Sequence, residues 1–321
     1  MESPLEPVSA ASQVGRFAPS TTGLPHPGTL LAALLCWLDI RSQGGRMCLR
    51  LEDLDPDRCR PEYAEAMRRD LAWLGLDWDT EVMQSERAED HEAALDRLAE
   101  EGRLYPCGCS RSTLRARHDF APDGSPRYPG TCRERALPPV GQGGWRSATE
   151  PLRVRLPENR IEMVDESGLD LSGVPAKTYG DPVVRRRDGA VAYHLASVVD
   201  DEAEGVSRVV RGRDLAPSTP VQRALAELLG FSRLEYRHPL LLLERRERKW
   251  AKFHQAVGTD VLRQAYDAPT LCGLLAYACE LIPEPTPTMP SELLREFSWS
   301  RIRLADRQLD WDGARLCFPE S

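Results

Sequence analysis

The sequence predicts an α/β fold on a parallel sheet, and two observations carry that prediction. Strand and helix patterns alternate through the first hundred residues, the order that builds a parallel sheet with helical crossovers. Within that run the helix predicted for Pro27–Ser42 is apolar on every side, so it must lie covered between layers. At 321 residues the chain has length for one large domain or two ordinary ones.

The elements follow in order. Val14–Ala18 reads as the first strand and Pro19–Pro25 as a loop. Pro27 suits the first helical position, and Gly44-Gly45 ends the helix. Arg46–Glu52 alternates as a second strand, then an acidic proline-containing loop runs over Asp53–Arg60. Amphipathic helices are predicted from Pro61 to Leu74 and from Ser85 to Glu101, the latter stopped by Gly102. Between Tyr105 and Pro151 the periodicity disappears under cysteine, glycine and proline, as in a small insertion not held by an ordinary core. Strand pattern resumes in "LRVRL" and in "DPVVRRRDGAVAYHL", where Asp188-Gly189 predicts a two-residue hairpin. "VSRVVRG" is a further strand. "STPVQRALAELLGF" is a helix capped by Ser218 or Thr219 with Pro220 at its first position. "HPLLLL" reads as a fully buried strand, and two or three helices follow Lys252. The expected division is a tail (1–13), a first catalytic half (14–104), an insertion (105–150), a second half (151–255) and a short helical region (256–321).

The formal charge of −8 argues against a general nucleic-acid coat and leaves a local basic face open. Nine cysteines, with Cys36, Cys48, Cys272 and Cys279 set singly in apolar segments, predict buried free thiols and a reducing, cytoplasmic setting. The first fourteen residues carry Glu2 and Glu6 and lack the regions of a signal peptide. No apolar run approaches the roughly 20 residues of a membrane span. Only three of the 42 basic residues are lysines, and two of these, Lys249 and Lys252, lie three positions apart.

The junction "GRFAPSTTGLPHPGTL" brings a strand, a tight loop and the start of a buried helix together. That arrangement makes an anion site from free backbone N–H groups. Gly28 permits close approach to the backbone, and His26 can donate a hydrogen bond to phosphate. Cys107, Cys109 and Cys132 gather in a segment with little core, a set that suits Zn²⁺. On general chemistry the fourth ligand would be His118.

Three segments in order resemble the signatures of class I aminoacyl-tRNA synthetases in their glutamate-specific form: "GRFAPSTTGLPHPGTL", "RLEDLDPDR" and "DGAVAYHLASVVDDEAEGVSRVVRGRDL". The likeness spans roughly residues 14 to 255. "RKWAKFH" stands where that family carries its lysine loop, with Ala251 in place of the serine. The resemblance implies a Rossmann-like catalytic sheet and attack of an amino-acid carboxylate on the α-phosphate of ATP. The carboxylate is already ionised at neutral pH, so alignment and charge stabilisation suffice. It further implies that His26, Gly28 and Thr29 hold ATP, that Lys249 and Lys252 neutralise departing pyrophosphate, and that Mg²⁺ accompanies the nucleotide. Arg16 would read the side-chain carboxylate of L-glutamate and Glu52 its α-amino group. Tyr193, Arg211, Ser20 and the backbone of Ala18 would complete the pocket. For the zinc site the resemblance favours Tyr128 over His118.

After Lys252 only 69 residues remain, too few for the helical anticodon-binding part of a full glutamyl-tRNA synthetase. The resemblance is therefore to truncated paralogues. These activate glutamate without tRNA and esterify queuosine in the anticodon stem-loop of tRNA(Asp), and the chain is expected to act as a monomer. A glutamate-activating enzyme with another acceptor, and an inactive nucleotide- or tRNA-binding paralogue, are the alternatives. Ala251 and the acidic charge speak for the inactive form.

Overall fold

The computed structural model describes residues 13–244, 248–249 and 257–319. In chain order the elements are β1 (Val14–Phe17), α1 (Pro27–Ser42), β2 (Arg46–Leu51), α2 (Pro61–Trp73), β3 (Thr80–Met83) and α3 (Ala88–Glu100). There follow β4 (Leu104–Pro106), α4 (Arg111–Arg115), β5 (Leu152–Val154), α5 (Pro175–Thr178), β6 (Val183–Arg185) and α6 (Tyr193–Ala203). The remainder includes β7 (Arg208–Val210), α7 (Thr219–Leu228), β8 (Glu235–Arg237), β9 (Leu242–Glu244), β10 (Arg248–Lys249), α8 (Thr259–Ala265) and α9 (Ala268–Ala278).

The central sheet has five strands in the order β3-β2-β1-β7-β8, every pair parallel. The order in which strands are added reverses between β1 and β7, and the C-terminal ends of strands at such a switch point are where open α/β sheets bind ligands. Alternation along each strand sends the two faces to different fates. From β1 and β2, Phe17, Met47, Leu49 and Leu51 enter one core with α1, which buries Leu30, Leu31, Leu34, Leu35 and Leu38. Leu271, Cys272 and Leu275 of α9 close the same core. Arg16, Cys48 and Arg50 alternate with those residues and meet the acidic end of α6 instead.

β4, β5 and β6 form an antiparallel three-stranded sheet that flanks the insertion. Its apolar residues join α3, α6 and α7 in a second core that includes Leu152, Val154, Val184, Leu195 and Leu225.

Several expectations are corrected. β3 has no counterpart in the sequence reading; it is short, at the sheet edge, and exposed at Thr80 and Glu81. At Asp188-Gly189 the turn forms, with Gly189 at φ 93°, but the second arm is a single bridge from Arg185 to Val191. The helix α6 then starts at Tyr193, where strand was expected. "HPLLLL" is strand only from Leu242, and it pairs with β10 and Arg307–Gln308 outside the central sheet. Ser218 makes no side-chain cap bond, because a 3₁₀ turn over Arg213–Ser218 runs straight into α7. The segment after residue 256 contains α8, α9 and a one-turn helix at Pro290–Leu293, together with short strands near its end. No helix among the described residues is long and apolar enough to cross a membrane.

Candidate active site

A cavity of about 340 Å³ opens at the switch point. Its walls include Arg16 on β1, Ala18 and Ser20 beyond it, Glu52 beyond β2, His26, Gly28 and Thr29 at the start of α1, Tyr193 at the start of α6, and Arg211 beyond β7. Residues scattered over almost two hundred positions are thereby brought to one place, and they include every described residue expected to bind glutamate or ATP. Lys249 is described through its backbone, which pairs with Leu243, the neighbour of cavity-lining Leu242. Lys252 lies outside the described residues.

The α1 end of the cavity owes its form to His26. This residue caps α1, and its Nδ1 accepts the Thr29 N–H at 3.3 Å. A neutral imidazole accepting at Nδ1 carries its proton on Nε2. A β-carbon at position 28 would stand 3.1 Å from the imidazole carbon Cε1 of His26, so glycine lets ring and helix start pack together.

On the opposite side lies a buried cluster of charge. Arg16 Nε donates to Asp201 Oδ1 at 3.2 Å. The fully buried Arg50 donates to the same oxygen at 2.8 Å and to Glu204 Oε2 at 2.9 Å. Burial alone would lower the Arg16 pKa, but the facing Asp201 holds it above the ordinary value. Asp201 is itself held below the usual carboxylate range by Arg16 and Arg50, against its own burial. Burial lifts Glu52 to about 7 despite Arg50 and Arg16 nearby.

Arg211 is fastened from behind. Its Nη2 donates to Gln222 Oε1 at 2.7 Å and Thr219 Oγ1 at 2.9 Å, and its Nη1 reaches the Tyr193 hydroxyl at 3.4 Å. His238 supports it: burial and Arg211 push the imidazole pKa down to about 4, and Nδ1 pairs with Asp165 at 2.7 Å. The neutral ring then offers Nε2 as the acceptor for Arg211 Nε at 3.4 Å. Asp201, Arg50 and His238 were not singled out in the sequence. The one sign of them is the acidic run Asp200-Asp201-Glu202, with Glu204, directly after the apolar Val198-Val199.

A larger cavity of about 840 Å³ shares Ser20, Glu52 and Tyr193 with the first. Arg58, Arg111, Arg153, Arg186 and Arg187 line it, with Cys107 and Cys109 of the insertion. Beside it the ligand atoms of Cys107, Cys109 and Cys132 lie within 4.8 Å of one another, a group that could hold a metal ion. The Tyr128 hydroxyl is 3.5 Å from Cys107 Sγ, whereas His118 is an exposed residue with φ 52° outside the group. A β-carbon at Gly180 would fall 2.2 Å from the Tyr128 carbonyl oxygen, so glycine is what lets Tyr128 seat there. Three thiols and a phenol suit a thiophilic dication.

Residues 13–274 match the family described as tRNA synthetases class I (E and Q), catalytic domain. A protein of Symbiobacterium thermophilum named glutamyl-Q tRNA(Asp) synthetase is 43% identical over 306 residues, covering 90% of this chain and 93% of that one. One of the same name from Geobacter sulfurreducens is 47% identical over 232 residues, 70% of each chain. This chain belongs to the glutamyl-Q tRNA(Asp) synthetase family. Like other members of that family it is a class I synthetase-like ligase. The fold agrees: a crystal structure of a glutamate tRNA ligase from Elizabethkingia meningosepticum in complex with its amino acid superposes with a TM-score of 0.75. At 23% identity it covers 92% of this chain and 67% of that one, a likeness of fold.

Proposed function

We propose that this chain activates L-glutamate with ATP in the absence of tRNA and transfers it to queuosine at the wobble position of tRNA(Asp). The observation that carries the reading is the convergence of Arg16, Glu52, Tyr193 and Arg211 with the His26–Thr29 helix start in one cavity. Arg16 binds the side-chain carboxylate, since a guanidinium can grip it with two parallel hydrogen bonds. Glu52 takes the α-ammonium, which places the α-carboxylate toward α1. That carboxylate attacks the α-phosphorus of ATP, and the bond to the bridging oxygen breaks with release of pyrophosphate. His26 and the amides around Gly28 hold the phosphates, Lys249 and Lys252 draw charge from the leaving group, and Mg²⁺ arrives with the nucleotide. A diol hydroxyl of queuosine then attacks the activated carbonyl and AMP leaves. The larger, arginine-lined cavity meets the first at Ser20, Glu52 and Tyr193, and it supplies the acceptor's route.

Zinc in the insertion would be held by Cys107, Cys109, Tyr128 and Cys132 as a structural ion. Metal analysis should find about one zinc per chain, lost when Cys107 and Cys109 are both replaced by serine. The decisive assay has two arms. Glutamate-dependent exchange of pyrophosphate into ATP should proceed without tRNA, and glutamate should pass to tRNA(Asp) containing queuosine but not to tRNA(Asp) lacking it or to tRNA(Glu). Exchange without transfer would favour another acceptor, and absence of both would mark an inactive paralogue.

A further inference from the structure

We propose that Asp201 is a positioning residue for glutamate selection, fixing the rotation of Arg16 so that its outer nitrogens face the bound side-chain carboxylate. The proposal rests on Arg16 being the group that binds that carboxylate. Arg16 lies on β1, a strand buried along its whole length, and its side chain is 5% exposed, as is that of Asp201. A guanidinium in that setting needs a fixed anion. Among the described residues the one carboxylate paired with it is Asp201, through Nε. With Nε engaged, the donors left for a ligand are Nη1 and Nη2, the pair whose spacing matches the two oxygens of a carboxylate.

Asp201 can serve as a reference point because it is itself held. Arg50 donates to the same Oδ1 at 2.8 Å and, through its other terminal nitrogen, to Glu204 at 2.9 Å. Glu204, Arg50, Asp201 and Arg16 thus form a ladder joining α6, β2 and β1, with no rung more than 5% exposed. Asp200, the neighbour of Asp201, is turned elsewhere: it accepts from Gln84 at 2.7 Å and faces His91 at 2.7 Å. Among the described residues Asp201 is therefore the ladder's one ion pair with Arg16. Arg50 Nε is buried without a hydrogen-bond partner, 3.7 Å from Asp200 and 4.0 Å from Glu52. Arg50 is thus committed to the ladder by its two terminal nitrogens.

The two ends of the ladder give the test. In tRNA-independent pyrophosphate exchange, Asp201→Asn should raise KM for glutamate roughly 10- to 100-fold, the worth of one charge-assisted hydrogen bond, with kcat changed less than about threefold. Glu204→Gln cuts the same ladder beyond Arg50. It should lower the melting temperature while leaving KM for glutamate within about threefold of the wild type. Equal KM effects in both variants, or none in Asp201→Asn, overturn the proposal. Should Asp201→Asn fail to fold, the wild-type protein still decides. The Arg16 Nε–H resonance should stay protected and unshifted on adding glutamate, and its transfer to the ligand overturns the proposal. Arg16→Ala separates the two levels. If it still activates glutamate the pocket reading itself falls, whereas its loss alongside an unaffected Asp201→Asn removes only the role given to Asp201.

Discussion

The two faces of the central sheet are built by opposite rules. On the α1 face, β2 contributes Met47, Leu49 and Leu51 to an apolar core. On the α6 face the alternate residues of the same strand are Cys48 and Arg50, continued by Glu52, and they meet Asp201 and Glu204. One face is held by area removed from water, which is non-directional. The other is held by charges whose positions are fixed pairwise, and that direction is what a ligand can be measured against. Buried ion pairs add little net stability compared with apolar packing. Such a pair also occurs on the α1 face, where Arg208 meets Asp39 at 2.7 Å, but the pairs that reach Arg16 of the cavity lie on the α6 face, a sign that this face serves selection more than cohesion.

The contrast can be broken from either side. The largest effect is expected for Arg16→Ala. A site built to pair a charge rejects what leaves it unpaired, so glutamate-dependent exchange should fall by about 10³-fold or more, with the circular dichroism spectrum and ATP binding retained. An effect below tenfold would deny the α6 face its selective role. Next comes Leu34→Ala on α1, fully buried in the opposite core. Denaturant titration should show a loss of about 3–4 kcal/mol, with KM for glutamate in the folded protein unchanged. The smallest effect concerns pH. With Glu52 raised to about 7, its ionised form is depleted as pH falls through 7. KM for glutamate should then climb, approaching about tenfold per pH unit below that point, and the dependence should vanish in Glu52→Gln. The sign for stability is the reverse. The folded state takes up a proton that the unfolded chain releases, so this group's contribution declines as pH rises from the ordinary glutamate value to about 7.

How much of this was legible in the sequence follows the same division. α1 runs from Pro27 to Ser42 as predicted, because a proline start, a glycine stop and an all-apolar middle are local signals. The glutamate- and ATP-binding candidates were reached through motifs, and the described ones do meet in one cavity. What could not be read was the charge ladder. In "RMCLRL" an arginine alternating with apolar residues looks like a solvent-facing position, and only the packing of α6 over that face buries Arg50. The edge strand Thr80–Met83 escaped because four residues, half of them exposed, carry too little pattern. At Asp188-Gly189 the turn chemistry was read correctly, but the length of the following arm depends on α6 starting at Tyr193.

The position of α9 has a bearing on how the cavity wall is held. Leu271 and Leu275, far along the chain, cover the helix whose first turn lines the cavity. Trp299, later still, donates to Asp39 on that helix at 2.6 Å. Further apolar cover over α1 comes from β1, β2 and α2, through Phe17, Leu49, Met67 and Leu71. The cavity wall formed by the start of α1 is therefore braced from widely separated parts of the sequence, and removing α9 should loosen it.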